Sequence, residues 1–235
     1  IKKISKKKYQ VFAVTRKKNN KRIKNVKWLI GPIDKKWKEL KKANILIHFA
    51  AVGGYERFAN FDKCYKFNVL RSKKLIQNAL KSNCKKWIIV SSKKEKNIKN
   101  FKLNKKFISV IKKKPDYVYG LTKALFSSYC FDYARKNEVK CRIIKLYHVY
   151  GGNEKSTRLW PSLINSAKKN KNFKMTAGFQ KTDFNYIDDV VDGLIKSLDF
   201  NLKGKRYPQY WDMGSGKSLS VRRFAERIWK KLKSK

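Results

Sequence analysis

Tyr119 and Lys123 are the residues whose types and spacing first suggest chemistry, because of the twelve tyrosines only Tyr119 is followed four positions on by a lysine. On a helix the two side chains share one face. An ammonium close to a phenol favours the phenolate and draws a tyrosine pKa from about 10 toward working pH, as proton exchange with a substrate hydroxyl requires. The same spacing fits a surface tyrosine and lysine, so the pair needs its context. Asp188 and Asp189 stand at the start of a helical pattern, and N-capping explains them better than acid/base work. The four cysteines, Cys64, Cys84, Cys130 and Cys141, form no CxxC pair, and His48 and His148 are the only histidines. No metal site is expected from that set, and the cysteines read as reduced packing thiols.

The elements that would position Tyr119 and Lys123 alternate between strand-like and helix-like segments. Candidate strands are Tyr9 to Thr15, Val26 to Ile33, Asn44 to Ala50, Trp87 to Ser91 and Cys141 to Tyr147, several of them apolar almost throughout, as strands buried on both faces are. Helical spacing covers Lys63 to Ser82 and Tyr119 to Lys136, the second with Leu121, Leu125, Tyr129 and Tyr133 on one stripe. Such alternation predicts βαβ units and a mostly parallel sheet, an α/β fold. Residues 93 to 118 form a long, polar, lysine-rich connection of the kind that borders active sites. The last third mixes short strands (Phe173 to Thr176, Asp183 to Ile187, Tyr207 to Asp212) with helices starting near Arg158, Asp188 and Ser220, which predicts a smaller lobe. Ser220 is the expected N-cap of the final helix.

The 235 residues are enough for a substantial core, and 42% of them are hydrophobic. With 61 Lys and Arg against 16 Asp and Glu, the formal charge is +45. Clustered cations would suggest nucleic acid. Here the lysines are spread over nearly every helix and loop, from Lys2-Lys3 to Lys230-Lys231, which describes a solvated surface and predicts only non-specific attraction to polyanions at low salt. No run of about 18 apolar residues and no signal-peptide pattern occurs, so no membrane partner and a cytoplasmic location are expected.

Six segments then fall in one order. Tyr119-Gly120-Leu121-Thr122-Lys123 resembles the YGxSK segment of the extended short-chain dehydrogenases, the NAD-dependent epimerase/dehydratase family. Ile47-His48-Phe49-Ala50-Ala51 resembles that family's IHLAA strand end, with Phe67-Asn68-Val69 like the asparagine-bearing helix that follows. Val90-Ser91-Ser92 is similar to its VSS strand end, Tyr147-His148-Val149-Tyr150-Gly151 to its FNVYG, Asp183 to Val191 to its RDFxYVDDVV, and Asp212-Met213-Gly214-Ser215-Gly216 with Ser220-Val221 to its NVGSG and SV. The ordered set is far more specific than any piece.

The resemblance implies a Rossmann-type, doubly wound parallel sheet over residues 1–150, interleaved with a small C-terminal α+β substrate lobe over 151–235. It also implies an NAD(P)-dependent epimerase or reductase acting on a nucleotide-activated sugar, as a homodimer, with hydride moving to or from nicotinamide. Tyr119 and Lys123 would be catalytic, with Ser92 serving for the family's Ser/Thr, because Lys93 occupies the aligned position. Thr15, Arg16, Ile33, Phe49, Ala50, Ala51, Asn68, Lys123 and Tyr147 would bind cofactor, and His148, Arg158, Lys181 and Asp183 the substrate. The cations after Thr15 favour NADP over NAD, since an NAD-selective site offers a carboxylate to the ribose. The glycine-rich phosphate loop is missing, and Ile1 to Lys8 look like the end of the helix that follows it, so a chain lacking its first strand is expected. Pro32 and Thr182 also depart from the pattern, and Lys93-Lys94-Glu95 stands where dehydratases carry Thr-Asp-Glu, which disfavours dehydration. The alternatives are a basic nucleic-acid-binding module on the same framework and an inactive relative.

Overall fold

Trp87 to Val90 carries no charged side chain, and all four of its residues are buried. A strand apolar on both faces must lie between two covering layers, and this one is the middle of β4 (Lys86–Ser92). The structure, a computed structural model, describes residues 1–7, 9–17, 22–54, 59–98, 109–110, 115–201 and 206–233. Much of the lysine-rich connection expected over 93 to 118 lies outside the described residues. The chain runs as α1 (Lys2–Ser5), β1 (Val11–Thr15), β2 (Val26–Ile30), β3 (Leu46–His48), α2 (Phe61–Tyr65), a π-helical stretch (Lys66–Arg71), α3 (Ser72–Lys81), β4, α4 (Pro115–Lys136) and β5 (Lys140–Leu146). It continues as β6 (His148–Tyr150), α5 (Leu159–Lys168), β7 (Lys181–Thr182), β8 (Phe184–Tyr186), α6 (Ile187–Lys196), β9 (Gln209–Met213), β10 (Leu219–Ser220) and α7 (Val221–Lys233).

The chain divides into two units, Ile1–Lys145 with Ile195–Trp211, and Leu146–Leu194 with Asp212–Lys235. In the first, β1 and β2 pair in parallel from Val11 opposite Val26 to Thr15 opposite Ile30. A four-stranded sheet runs β3-β4-β5-β9, with β3 and β4 parallel and Leu46 opposite Trp87. Parallel neighbours need a crossover, and α2 to α3 supplies it between β3 and β4. The core joins Trp87, Ile89, Cys141 and Ile143 of the sheet to Ile76 and Ala79 of α3 and Phe126, Cys130 and Ala134 of α4. In the second unit β6 pairs with β8 in parallel and β7 with β10 antiparallel. Phe184 and Phe224 stack there at 3.8 Å, and Tyr150 meets Phe224 edge-on at 4.8 Å.

The structure corrects several sequence expectations. α4 begins at Pro115, so Tyr119 lies a full turn inside the helix instead of opening it. Proline suits a first helical position because its missing N–H would be unpaired there anyway. Phe173 to Thr176 forms no strand; the nearby ladder is Lys181–Thr182 with Leu219–Ser220. Asp188 and Asp189 are first-turn residues of α6 rather than its cap, where their charge faces the positive end of the helix dipole. Ser220 does cap α7, accepting from the Arg223 N–H at 3.1 Å. No disulfide joins the four cysteines, all of them buried. Among the described residues no helix is long and apolar enough to cross a membrane, and no group of three or more His, Cys, Asp and Glu could hold a metal ion.

Candidate active site

Lys123 is 2% exposed, and its Nζ donates to the Val90 carbonyl of β4 at 2.7 Å. A lysine ammonium this deep is costly, and burial pushes its pKa down to about 8 against the upward pull of Glu95 and Cys130. Tyr119, one turn earlier on α4, is half-buried beneath the loop that follows β3. A Cβ added at Gly54 would meet the Tyr119 ring at 3.3 Å, and one at Gly53, where φ is +86°, would strike the Cys64 sulfur at 2.5 Å. Only glycine lets this backbone approach the phenol so closely. On its other flank Lys94 places its ammonium 5.6 Å from the Tyr119 ring centroid.

Asn68 holds the glycine loop in place. Its Oδ1 accepts from the Val52 N–H at 2.8 Å, and its Nδ2 donates to the Val52 carbonyl and to Thr122 Oγ1, each at 3.0 Å. One buried amide thus joins the loop after β3 to the residue beside Lys123. It sits in the π-helical stretch, the kind of interruption that recurs at functional sites. Phe49, just past β3, is 56% exposed, with Ala50 and Ala51 partly exposed beside it. An apolar ledge, a glycine-lined backbone and a buried ammonium at the end of parallel strands fit a flat ring and a ribose, so these residues suit a nicotinamide cofactor. Ser92 ends β4 with its Oγ accepting from the Lys94 N–H at 3.3 Å. Thr15 closes a turn on Lys17 at the end of β1, and exposed Arg16 packs over the Phe67 ring at 5.9 Å. Ile33 is buried after β2.

His48 lies beneath this surface, its Nε2 2.9 Å from Ser72 Oγ and its ring edge-on to Phe126 at 5.3 Å. Ser72 gives its own proton to the Phe67 carbonyl, so the neutral imidazole carries its proton on Nε2. Burial, and then the Lys123 charge, push His48 down to about 3. Below the unfolded value of about 6.5 the unfolded chain therefore takes up a proton that the folded chain excludes. This contribution is complete above about pH 6.5 and falls away as pH drops toward 3. Between pH 7 and 5 we expect His48 to remove about 2 kcal/mol of stability. Urea unfolding at both pH values should show that loss in the wild type and a smaller one in His48→Gln; equal losses would refute it.

The second unit holds the remaining candidates. The Tyr147 N–H meets the Met213 carbonyl at 3.4 Å, and half-buried His148 lies edge-on to Phe184 at 4.9 Å. Arg158 stands at the N-cap position of α5 and pairs with Glu154 at 3.5 Å, while Lys181 is exposed on β7. Asp183 is buried. It accepts from Ser215 N–H and Oγ at 3.1 and 2.6 Å and from the Gly216 N–H at 2.9 Å. Burial raises its pKa, but these bonds and that from Asn185 outweigh burial and hold it below the usual carboxylate value. The residues that motif matching passed over are Gly53, Gly54, Ser127 and Lys145, while Thr122 and Glu95 stood in matched segments without an assigned role. Only Ser127 carried a local signal, four residues past Lys123 on the same helical face.

The parallel strands β3 and β4 thus lead to the helix that carries Tyr119 and Lys123. The chain belongs to the NAD dependent epimerase/dehydratase family, whose model matches residues 1–210. It is 28% identical over 232 residues to CDP-abequose synthase of Salmonella muenchen, covering 96% of this chain and 73% of that protein. Among solved structures it resembles UDP-glucose 4-epimerase of Thermotoga maritima bound to UDP-glucose, with a TM-score of 0.74 at 18% identity, over 99% of this chain and 77% of that one. It also resembles MoeE5 in complex with UDP-glucose and NAD, at TM-score 0.72 and 18% identity, over 96% and 74% of the two chains. These likenesses show that the fold is the Rossmann type.

Proposed function

We propose that this protein is an NAD(P)-dependent epimerase or reductase acting on a nucleotide-activated sugar, with Tyr119 and Lys123 as its acid/base pair. The observation that carries the reading is the buried Lys123 ammonium, fixed on the Val90 carbonyl one helical turn from Tyr119, whose ring lies under the Gly53–Gly54 loop. Burying a cation without a function would be wasteful, since a packed apolar side chain there would stabilise the core. The cofactor, when bound, supplies or accepts hydride. Tyr119 gives or takes the proton of the sugar hydroxyl, and Lys123 stabilises its phenolate and holds the nicotinamide ribose. Ser92 hydrogen-bonds the reacting hydroxyl. Asn68 keeps the loop of Phe49, Ala50 and Ala51 in register, and Arg16 with Lys17 supports NADP over NAD at the adenosine ribose.

In the second unit His148, Arg158 and Lys181 are the residues we assign to substrate binding. Asp183 acts from behind by shaping the Ser215–Gly216 turn. Glu95 is held in the interior by Ser91, Ser127 and Lys145, which supports epimerisation or reduction over dehydration. The name of the Salmonella relative makes CDP-sugars the first substrates to try. The protein should show NADPH fluorescence enhancement and convert a CDP- or UDP-linked 4-hydroxy or 4-keto sugar. No cofactor binding and no conversion would overturn the assignment.

A further inference from the structure

We propose that Glu95 is a positioning residue for Lys123, tying the end of β4 to the α4 face that carries this lysine and supplying the counter-charge for its ammonium. The inference rests on the catalytic reading of Lys123 given above. Glu95 is 3% exposed, yet it accepts from Ser127 Oγ at 2.6 Å and from Ser91 Oγ, and Lys145 Nζ lies 3.3 Å from its other oxygen. Ser91 follows the residue whose carbonyl holds Lys123, and Ser127 stands one helical turn beyond Lys123. A single carboxylate thus bonds both to the strand residue next to the lysine's anchor and to the helix that bears the lysine. A displaced β4 end would move the Val90 carbonyl and Ser92 together.

The charge pattern has the same centre. Two lysines, Lys123 from α4 and Lys145 from β5, are buried around one acid. Among the described residues, the titratable groups around them include His48 from β3, held neutral; Cys130 and Cys141, whose thiols burial pushes up; and Tyr210 of β9, which lies 4.6 Å from Lys145 and is likewise pushed up, with Lys73 acting on Cys130 and Asp132 on Tyr210. Glu95 is therefore the anion on which this interior depends, and it acts to keep Lys123 charged. Lys123 cannot stabilise a phenolate once it is neutral.

The test is a lysine titration followed by NMR in the full protein labelled with ¹³Cε-lysine. One resonance should titrate near pH 8, apart from the surface lysines, and vanish in Lys123→Met. In Glu95→Gln, which keeps the shape and removes the charge, it should titrate at least about one pH unit lower, while Glu95→Asp should stay near the wild type. An unmoved titration in a folded Glu95→Gln protein, or equal shifts in the Gln and Asp variants, would overturn the proposal. Should Glu95→Gln not fold, Lys145→Met decides, because releasing Glu95 from its partner should raise the Lys123 titration and no change would refute it. The readout needs no turnover. A wild type without activity counts against the enzymatic reading alone, and an active protein with an insensitive Lys123 counts against Glu95 alone.

Discussion

Tyr119→Phe is expected to lower kcat by about 10³-fold while leaving NAD(P) affinity within a few-fold of the wild type, because positioned proton transfer contributes about 10² to 10⁴. Phenylalanine keeps the ring that packs under Gly54 at 3.3 Å, so the fold and the cofactor ledge should survive. What disappears is the hydroxyl to which we assign proton exchange with the sugar. Lys123→Met should reduce kcat at least as much and also weaken cofactor binding, because the role we propose for that lysine includes the ribose as well as the phenol. It should not destabilise the protein greatly. Removing an ammonium whose pKa burial has pushed to about 8 relieves a desolvation cost that offsets the lost bond to Val90. Steady-state kinetics with NADPH titrations on both variants, alongside thermal melts, would test this. A Tyr119→Phe enzyme with kcat within tenfold of the wild type would remove the tyrosine from the mechanism.

Arg142→Ala is expected to cost about 4 kcal/mol or more, a large share of the 5–15 kcal/mol that typically separates a folded domain from its unfolded chain. Arg142 is on β5 and 0% exposed. Its guanidinium donates to the Ser197 carbonyl, to the Asp199 carbonyl at 2.5 Å and to the Tyr207 hydroxyl at 2.8 Å. It also lies over Phe200 and Trp211 at 4.5 and 4.4 Å from their centroids. Alanine would leave the buried Ser197 carbonyl without its donor and open a cavity between the rings. Arg142→Lys should recover less than half of the loss, since a single ammonium cannot reproduce the planar fork or the stacking. Urea unfolding of the three proteins checks the order, and an Arg142→Ala cost below about 1 kcal/mol would show that this segment is held by other contacts.

The parallel α/β class was legible from periodicity and the family from motifs that fall in sequence. Apolar runs such as Trp87 to Val90 are buried as runs of that kind must be. Boundaries were less legible: Pro115 opens α4 before its apolar stripe begins, and Phe173 to Thr176 has strand-like residues but no partner strand. Ser220, by contrast, caps its helix through a contact only three residues away, which sequence can show.

By itself the sequence determined that Tyr119 and Lys123 stand one helical turn apart, because that spacing is local. Only the tertiary structure decided which of the 61 lysines and arginines work inside the protein. Lys123, Lys145 and Arg142 are indistinguishable by composition from the exposed cations. They are set apart by burial and by partners 33 to 65 positions away, such as Val90 for Lys123 and Tyr207 for Arg142. The Asn68 clamp on Val52 and Thr122 and the convergence of Ser91, Glu95, Ser127 and Lys145 belong to the same group. The reason is desolvation: a charge or amide in the interior must find its partner there, and packing alone determines which distant residue that is.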